Sequence, residues 1–282
     1  MRRLTAPLVG ACLAGVALVT TSALGQGTPD RSMWSPPPLI STEGHRSDQL
    51  FIVVTWMLVV LFVIMTGIMI TAMLKHRAGK VAHVEYHPGD TPKDAVFAMV
   101  ISTIIFLVVD GTLLVRSHID LNEVYWHYPE NDPDTLRIEV LAQQWAWNYR
   151  YAGADGKFNT ADDIVTFNDV RVPANKKVLF QITSKDVIHS FFVANARMKQ
   201  DANPGQITRM WFQTKPGTAG EYEVACAEMC GYAHYLMKSR FVVLEQADWN
   251  AWAAEAAKWS SIQYDKDNAD QQWGWDWKTL GQ

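Results

Sequence analysis

The chain has 282 residues, 49% hydrophobic and 19% charged, with a formal net charge of −4. Such a mild acidic balance gives no electrostatic footprint for nucleic acid, and no nucleic-acid partner is expected. A mean hydropathy of −0.06 conceals a split molecule, in which strongly apolar segments offset a polar remainder.

In chain order, the first segment carries Arg2 and Arg3, an apolar run from Leu8 to Val19, and the small residues Ala23 and Gly25. This pattern predicts a secretory signal peptide over 1–25, cleaved near Gly25. Lipidation of Cys12, after Val9-Gly10-Ala11, is the rival reading, and the apolar run continues well past that cysteine. Residues 26–49 are expected to be an extracytoplasmic segment, extended around Pro36 to Pro38. Leu50 to Leu74 is a run of 25 residues without a charge. At ~1.5 Å per residue it is long enough to cross a hydrocarbon layer of ~30 Å. A second span is predicted over Ala95 to Val115, with one charge at Asp110, placed toward the outer interface. The loop over 75–94 holds Lys75, Arg77, Lys80 and Lys93, which puts it on the cytoplasmic side and both termini outside. The expectation is a multi-pass protein of a bacterial plasma membrane, with everything after Val115 facing the periplasm or exterior.

Beyond the spans the pattern changes to short strands separated by Gly, Pro, Asn and Asp. Candidates are Leu136 to Val140, Ile164 to Val172, Lys177 to Thr183, Val187 to Ala194, Gln206 to Gln213, Gly220 to Ala225 and Arg240 to Leu244. Many short strands at this spacing predict an all-β Greek-key sandwich or barrel, here over 116–245. The insert from Ala154 to Asp163 only superficially resembles a calcium loop, because Tyr151 and Gly153 stand where an EF-hand needs acids. It is read as a solvated hairpin. A C-terminal helix and tail follow over 246–282. Trp249, Trp252 and Trp259 are packing groups, and no role is assigned to Trp273, Trp275 and Trp277.

The chemistry is concentrated in Cys226-Ala-Glu228-Met-Cys230-Gly-Tyr-Ala-His234-Tyr-Leu-Met237. In an exported chain the bare C-x3-C spacing is served equally well by a disulfide. A disulfide needs neither the histidine nor the methionine at their fixed offsets. Thiolate and thioether donors together select copper over zinc, and a second cysteine lets two sulfurs bridge two ions. The second imidazole must come from elsewhere, and His189, in Asp186-Val-Ile-His189-Ser, is the candidate on a sandwich strand.

These residues resemble subunit II of the haem-copper cytochrome c oxidases. The family pattern C-x-E-x-C-x3-H-x2-M is met by Cys226, Glu228, Cys230, His234 and Met237, and D-V-[LI]-H-S by Asp186 through Ser190. The resemblance implies two transmembrane α-helices followed by a cupredoxin domain holding a dinuclear copper centre, CuA. It implies that Cys226 and Cys230 bridge the coppers and that His189 and His234 each terminate one. Met237 and the Glu228 carbonyl would be weak ligands, with the Glu228 side chain reaching magnesium at the border with subunit I. Trp145 matches the tryptophan through which electrons enter, although Ala146 replaces the usual tyrosine after it. The acidic residue that often follows Tyr149 is Arg150 here, which predicts weaker docking of a basic donor at that point, while Asp186 keeps an acid beside the histidine for docking. Asp94 stands where the family has a proton-channel glutamate, although an aspartate there also serves as a plain helix cap.

The expected function is therefore the electron-accepting subunit of a proton-pumping oxidase. It would take electrons from cytochrome c and pass them to haem in subunit I, with subunit III as a further partner. The rivals are the CuA subunit of a nitric oxide reductase-like complex, a quinol oxidase subunit, which lacks the copper ligands, and a copper-delivery protein.

Overall fold

The computed structural model describes residues 36–77, 79–80, 86 and 88–263. The predicted signal peptide, Cys12 and the tryptophan-rich tail lie outside the described residues. Two apolar helices come first, α1 (Gly44–Lys75) and α2 (Pro92–Tyr125), both long and apolar enough to cross a membrane. Each outruns its predicted span. α1 begins at Gly44 because its first polar turn finds partners: Arg46 pairs with Asp120 and Glu123 at 3.0 and 2.8 Å, and Asp48 pairs with Arg197. α2 is started by Thr91, whose hydroxyl accepts the Asp94 N–H while the Asp94 carboxylate accepts the Thr91 N–H. This reciprocal arrangement satisfies two N–H groups that a helix start otherwise leaves unpaired. The helix continues past Val115 to Tyr125, with wider π-type turns at Phe106–Asp110 and Leu121–Tyr125.

Ten strands follow: β1 (Leu136–Gln143), β2 (Ala146–Tyr151), β3 (Ile164–Phe167), β4 (Asp169–Pro173), β5 (Lys177–Ser184), β6 (His189–Val193), β7 (Met198–Ala202), β8 (Thr208–Gln213), β9 (Gly220–Cys226) and β10 (Lys238–Leu244). They make two five-stranded sheets, ordered β3-β2-β1-β5-β8 and β4-β10-β9-β6-β7. Pairing is antiparallel except for β1 with β5 and β4 with β10. Alternate residues of facing strands point inward: Ile138, Val140 and Ala142; Trp147, Tyr149 and Tyr151; Val178, Phe180 and Ile182; Phe241 and Val243 are all buried. This two-residue period is what a sandwich core requires. Phe191 sits at its centre, with ring centroids 5.3 Å from both Trp147 and Phe180. The closing helix α3 (Gln246–Gln263) stacks Trp249 and Trp252 on Tyr151. The architecture is thus two apolar helices, a β-sandwich and a C-terminal helix.

One strand reading needs correction, and two strands were not expected. The single strand expected over Ile164 to Val172 is two, split at Asn168, whose φ of 50° turns the chain from one sheet into the other. Asparagine tolerates this left-handed conformation, and its side chain is held there by the Trp147 N–H at 2.8 Å. No strand was expected at β2, although its Trp147, Tyr149 and Tyr151 alternate as a strand should. β7, Met-Lys-Gln-Asp-Ala, is a polar strand at the edge of its sheet and has no apolar alternation to read.

Candidate metal centre

The sandwich brings three segments to one end. β6 opens with His189, fully buried. β9 closes with Cys226, opposite Phe191 in register. The loop from Ala227 to Met237 then returns on itself, with the Cys226 N–H donating to the Met237 carbonyl at 3.1 Å and the Ala227 N–H to the Ser190 carbonyl at 3.0 Å. The loop turns at Gly231, whose φ is +117°. A Cβ there would lie 2.9 Å from Gln144 Nε2 and 3.2 Å from the Trp145 ring, so both backbone and space call for glycine.

Cys226 Sγ and Cys230 Sγ stand 3.7 Å apart and both cysteines are free. That separation is far beyond a disulfide bond of ~2.05 Å. It is also short enough for one ion to touch both sulfurs at thiolate–metal lengths of about 2.3 Å. His189 Nδ1 is 4.0 Å from Cys226 Sγ, and His234 Nδ1 is 3.5 Å from Cys230 Sγ, so each sulfur has its own imidazole. The buried thioether of Met237 is 3.7 Å from Cys230 Sγ, and the Glu228 carbonyl is 3.2 Å from Cys226 Sγ. Among the described residues, His189, Cys226 and Cys230 are the group of His, Cys, Asp or Glu whose ligand atoms lie mutually close enough for one ion, within 4.8 Å. Two thiols, two imidazoles, a thioether and a carbonyl are a soft donor set that fits copper.

Electrostatics separate the two thiols. Burial raises the Cys226 thiol, but the His189 ring and the backbone N–H groups and dipoles at Ser190 and Glu228 outweigh it and bring it down to about 6. Burial raises Cys230, and the neighbouring Cys226 sulfur raises it further, to about 12. Cys226 is therefore the more acidic of the two thiols. His189 is lowered by burial, yet Cys226 and Asp186 on its two sides hold it above the ordinary imidazole value.

The structure gives Asp186 a definite set of partners. Its Oδ1 accepts from His189 Nε2 at 2.8 Å and from the Val187 N–H at 2.6 Å, and its Oδ2 accepts from the Gln144 N–H at 2.6 Å. Burial works against the charge, but these bonds, His189 first, lower its pKa. Such a carboxylate fixes the ring orientation of a ligating histidine. Gln144 was missed in the sequence: its Nε2 donates to the Cys230 carbonyl at 2.8 Å, the same oxygen that Trp145 Nε1 reaches at 3.2 Å. Its position next to Trp145 was the available signal. Trp145 is 37% exposed, so one indole touches both solvent and the backbone of a candidate ligand.

One expectation changes. Arg150 was expected on a docking face, but it is 3% exposed and lies 3.7 Å from Glu139 and 3.4 Å from Asp163. The register Glu139↔Arg150 places the pair side by side on β1 and β2, under the insert that carries Asp163. Arg150 therefore closes the insert onto the sheet. The insert itself uses its acids to cap its own backbone, with Asp163 accepting from Asn159 and Thr160 and Asp162 from Asp155. Asp94, the proton-uptake candidate, closes the α2 capping box and is far in sequence from the sulfur cluster.

The β-sandwich presents a soft dithiol–imidazole–thioether cluster at one end, which defines a candidate metal-binding domain. Residues 136–246 match the family model for the periplasmic domain of cytochrome c oxidase subunit II. The chain is 32% identical over 162 residues to the alternative cytochrome c oxidase subunit 2 of Bradyrhizobium diazoefficiens, covering 49% of this chain and 58% of the relative. It is 36% identical over 120 residues to cytochrome c oxidase subunit 2 of Thermostichus vulcanus, covering 43% of this chain and 33% of the relative. The periplasmic domain of subunit II of cytochrome oxidase from Bradyrhizobium japonicum aligns with a TM-score of 0.38 at 28% identity, over 44% of this chain and 94% of that one. The chain thus spans 58% and 33% of the two curated relatives' lengths.

Proposed function

We propose that this chain is the electron-accepting subunit of a cytochrome c oxidase, anchored in a bacterial plasma membrane by α1 and α2 with the sandwich on the periplasmic side. The observation that carries this reading is the pair of unbonded sulfurs 3.7 Å apart, each with its own histidine. In this reading His189, Cys226, Cys230, His234, Met237 and the Glu228 carbonyl hold two copper ions, which supply one-electron chemistry.

The chain's own contribution is rigidity and access. Strands β6, β9 and β10 fix the ligands, so the site changes shape little when an electron arrives. Trp145 receives the electron at the surface and relays it through its hydrogen bond to Cys230. Val187, Ile188, Met229, Tyr232, Tyr235 and Leu236 are exposed around the site, and an apolar rim of this kind suits contact with a donor protein on one side and a haem-bearing subunit I on the other. Subunit III is a further proposed partner. The exposed Glu228 side chain is assigned to magnesium at the subunit I border. For Asp94 we propose the capping role its geometry supports.

The test is metal content and electron paramagnetic resonance of the full-length chain purified from membranes. Two coppers per chain, with hyperfine coupling shared by two nuclei, are expected. A single copper, or zinc in the pocket, would overturn the reading.

A further inference from the structure

Three unusual features coincide in α2. Asp110 is the one charge in the apolar stretch from Ala95 to Val115, and its side chain is exposed on the helix surface. It lies about 8 Å along the axis from Val115, at ~1.5 Å per residue, in the outer half of the predicted span. Phe106–Asp110 is a π-type turn, with the Gly111 N–H donating to the Phe106 carbonyl. Such turns in a helix gather at functional positions. The third feature is Gly111 itself. A Cβ there would meet only the Phe106 carbonyl, at 3.7 Å, an ordinary contact. Nothing in the chain's own packing requires glycine, although a helix interior disfavours it.

Among the described residues, no side chain pairs with Asp110. α1 has no charged residue between Asp48 and Lys75. An acid within the hydrocarbon layer pairs with a base or a strong donor, and small residues mark where another helix backbone comes close.

We propose that Asp110 and Gly111 form an intramembrane docking point for a helix of a partner subunit that carries a basic side chain at the same depth. The glycine admits the backbone, the wider turn directs the carboxylate outward, and the opposite charge fixes the register. The proposal rests on the membrane reading of α1 and α2 given above.

The test uses the full-length chain in native membranes and measures the fraction retained with its haem-bearing partner after detergent extraction and native electrophoresis. Asp110→Leu and Gly111→Leu are each expected to lower retention roughly 3- to 30-fold, the range for one intramembrane polar contact. Asp110→Asn should fall between these and the parent, Asp110→Lys below Asp110→Leu, and Leu114→Ala should match the parent. Copper content of each variant reports that the outer domain is folded. Parent-level retention for Asp110→Leu in a copper-loaded chain overturns the proposal, as does a parent chain that has no membrane partner. The second result leaves the copper stoichiometry, and with it the metal-centre reading, standing.

Discussion

Asp186 Oδ1 lies 2.8 Å from His189 Nε2, on the side of the ring opposite to Cys226. The other carboxylate oxygen holds the Gln144 N–H, and Gln144 in turn holds the Cys230 carbonyl. One exposed-edge aspartate thus ties a candidate ligand to the turn that carries Trp145. Asp186→Ala should weaken metal binding about 10- to 100-fold, as loss of an orienting carboxylate does, and broaden the spectrum of the metal that remains. Titration of the full-length chain with copper checks this. Unchanged affinity and spectrum would reduce Asp186 to a surface acid.

Met237→Leu replaces a fully buried thioether with a side chain of similar volume, so the fold should lose less than about 1.5 kcal/mol. Copper should stay bound, while the reduction potential shifts because a weak axial donor is gone. Potentiometry with metal analysis makes the distinction. Complete loss of copper would show that Met237 is more than an axial partner.

Cys230→Ser should leave the strands intact and abolish any signal shared between two nuclei, since one of the two candidate bridging sulfurs is removed. Persistence of that signal would exclude Cys230 from the bridge.

The two thiols of the metal-free chain should react differently with an alkylating reagent. Cys226 is half-buried and held down to about 6, whereas Cys230 is buried and pushed up to about 12. At pH 7 labelling should therefore fall on Cys226, with a midpoint near pH 6. A group depressed in the folded chain stabilises it fully above the unfolded thiol value, and the contribution is lost as pH falls through about 6. Mass mapping of the label across pH checks both the site and the midpoint.

Arg150→Glu should destabilise the domain rather than alter donor docking. It would place a third carboxylate beside Glu139 and Asp163 in a buried position, and breaking a buried ion pair costs about 3–5 kcal/mol. Thermal melting measures the loss. A parent-like melting temperature would show that the insert is not held by Arg150.

The composition of the ligand loop was sufficient to read the candidate donors, because a soft-metal site requires particular atoms and Cys226, Cys230, His234 and Met237 lie within one short loop. The apolar runs of α1 and α2 and the alternation of β1 and β5 were equally open to reading, since local periodicity reports which face is buried. Tertiary structure alone decided the rest. Whether two cysteines bond or stay 3.7 Å apart depends on how β9 and the loop at Gly231 are held. Whether Asp186 meets His189, and whether Arg150 lies at the surface or under the insert, depends on which strands become neighbours. Those relations join residues as far apart as Gln144 and Cys230, and such contacts are set by sheet topology rather than by any local pattern along the chain.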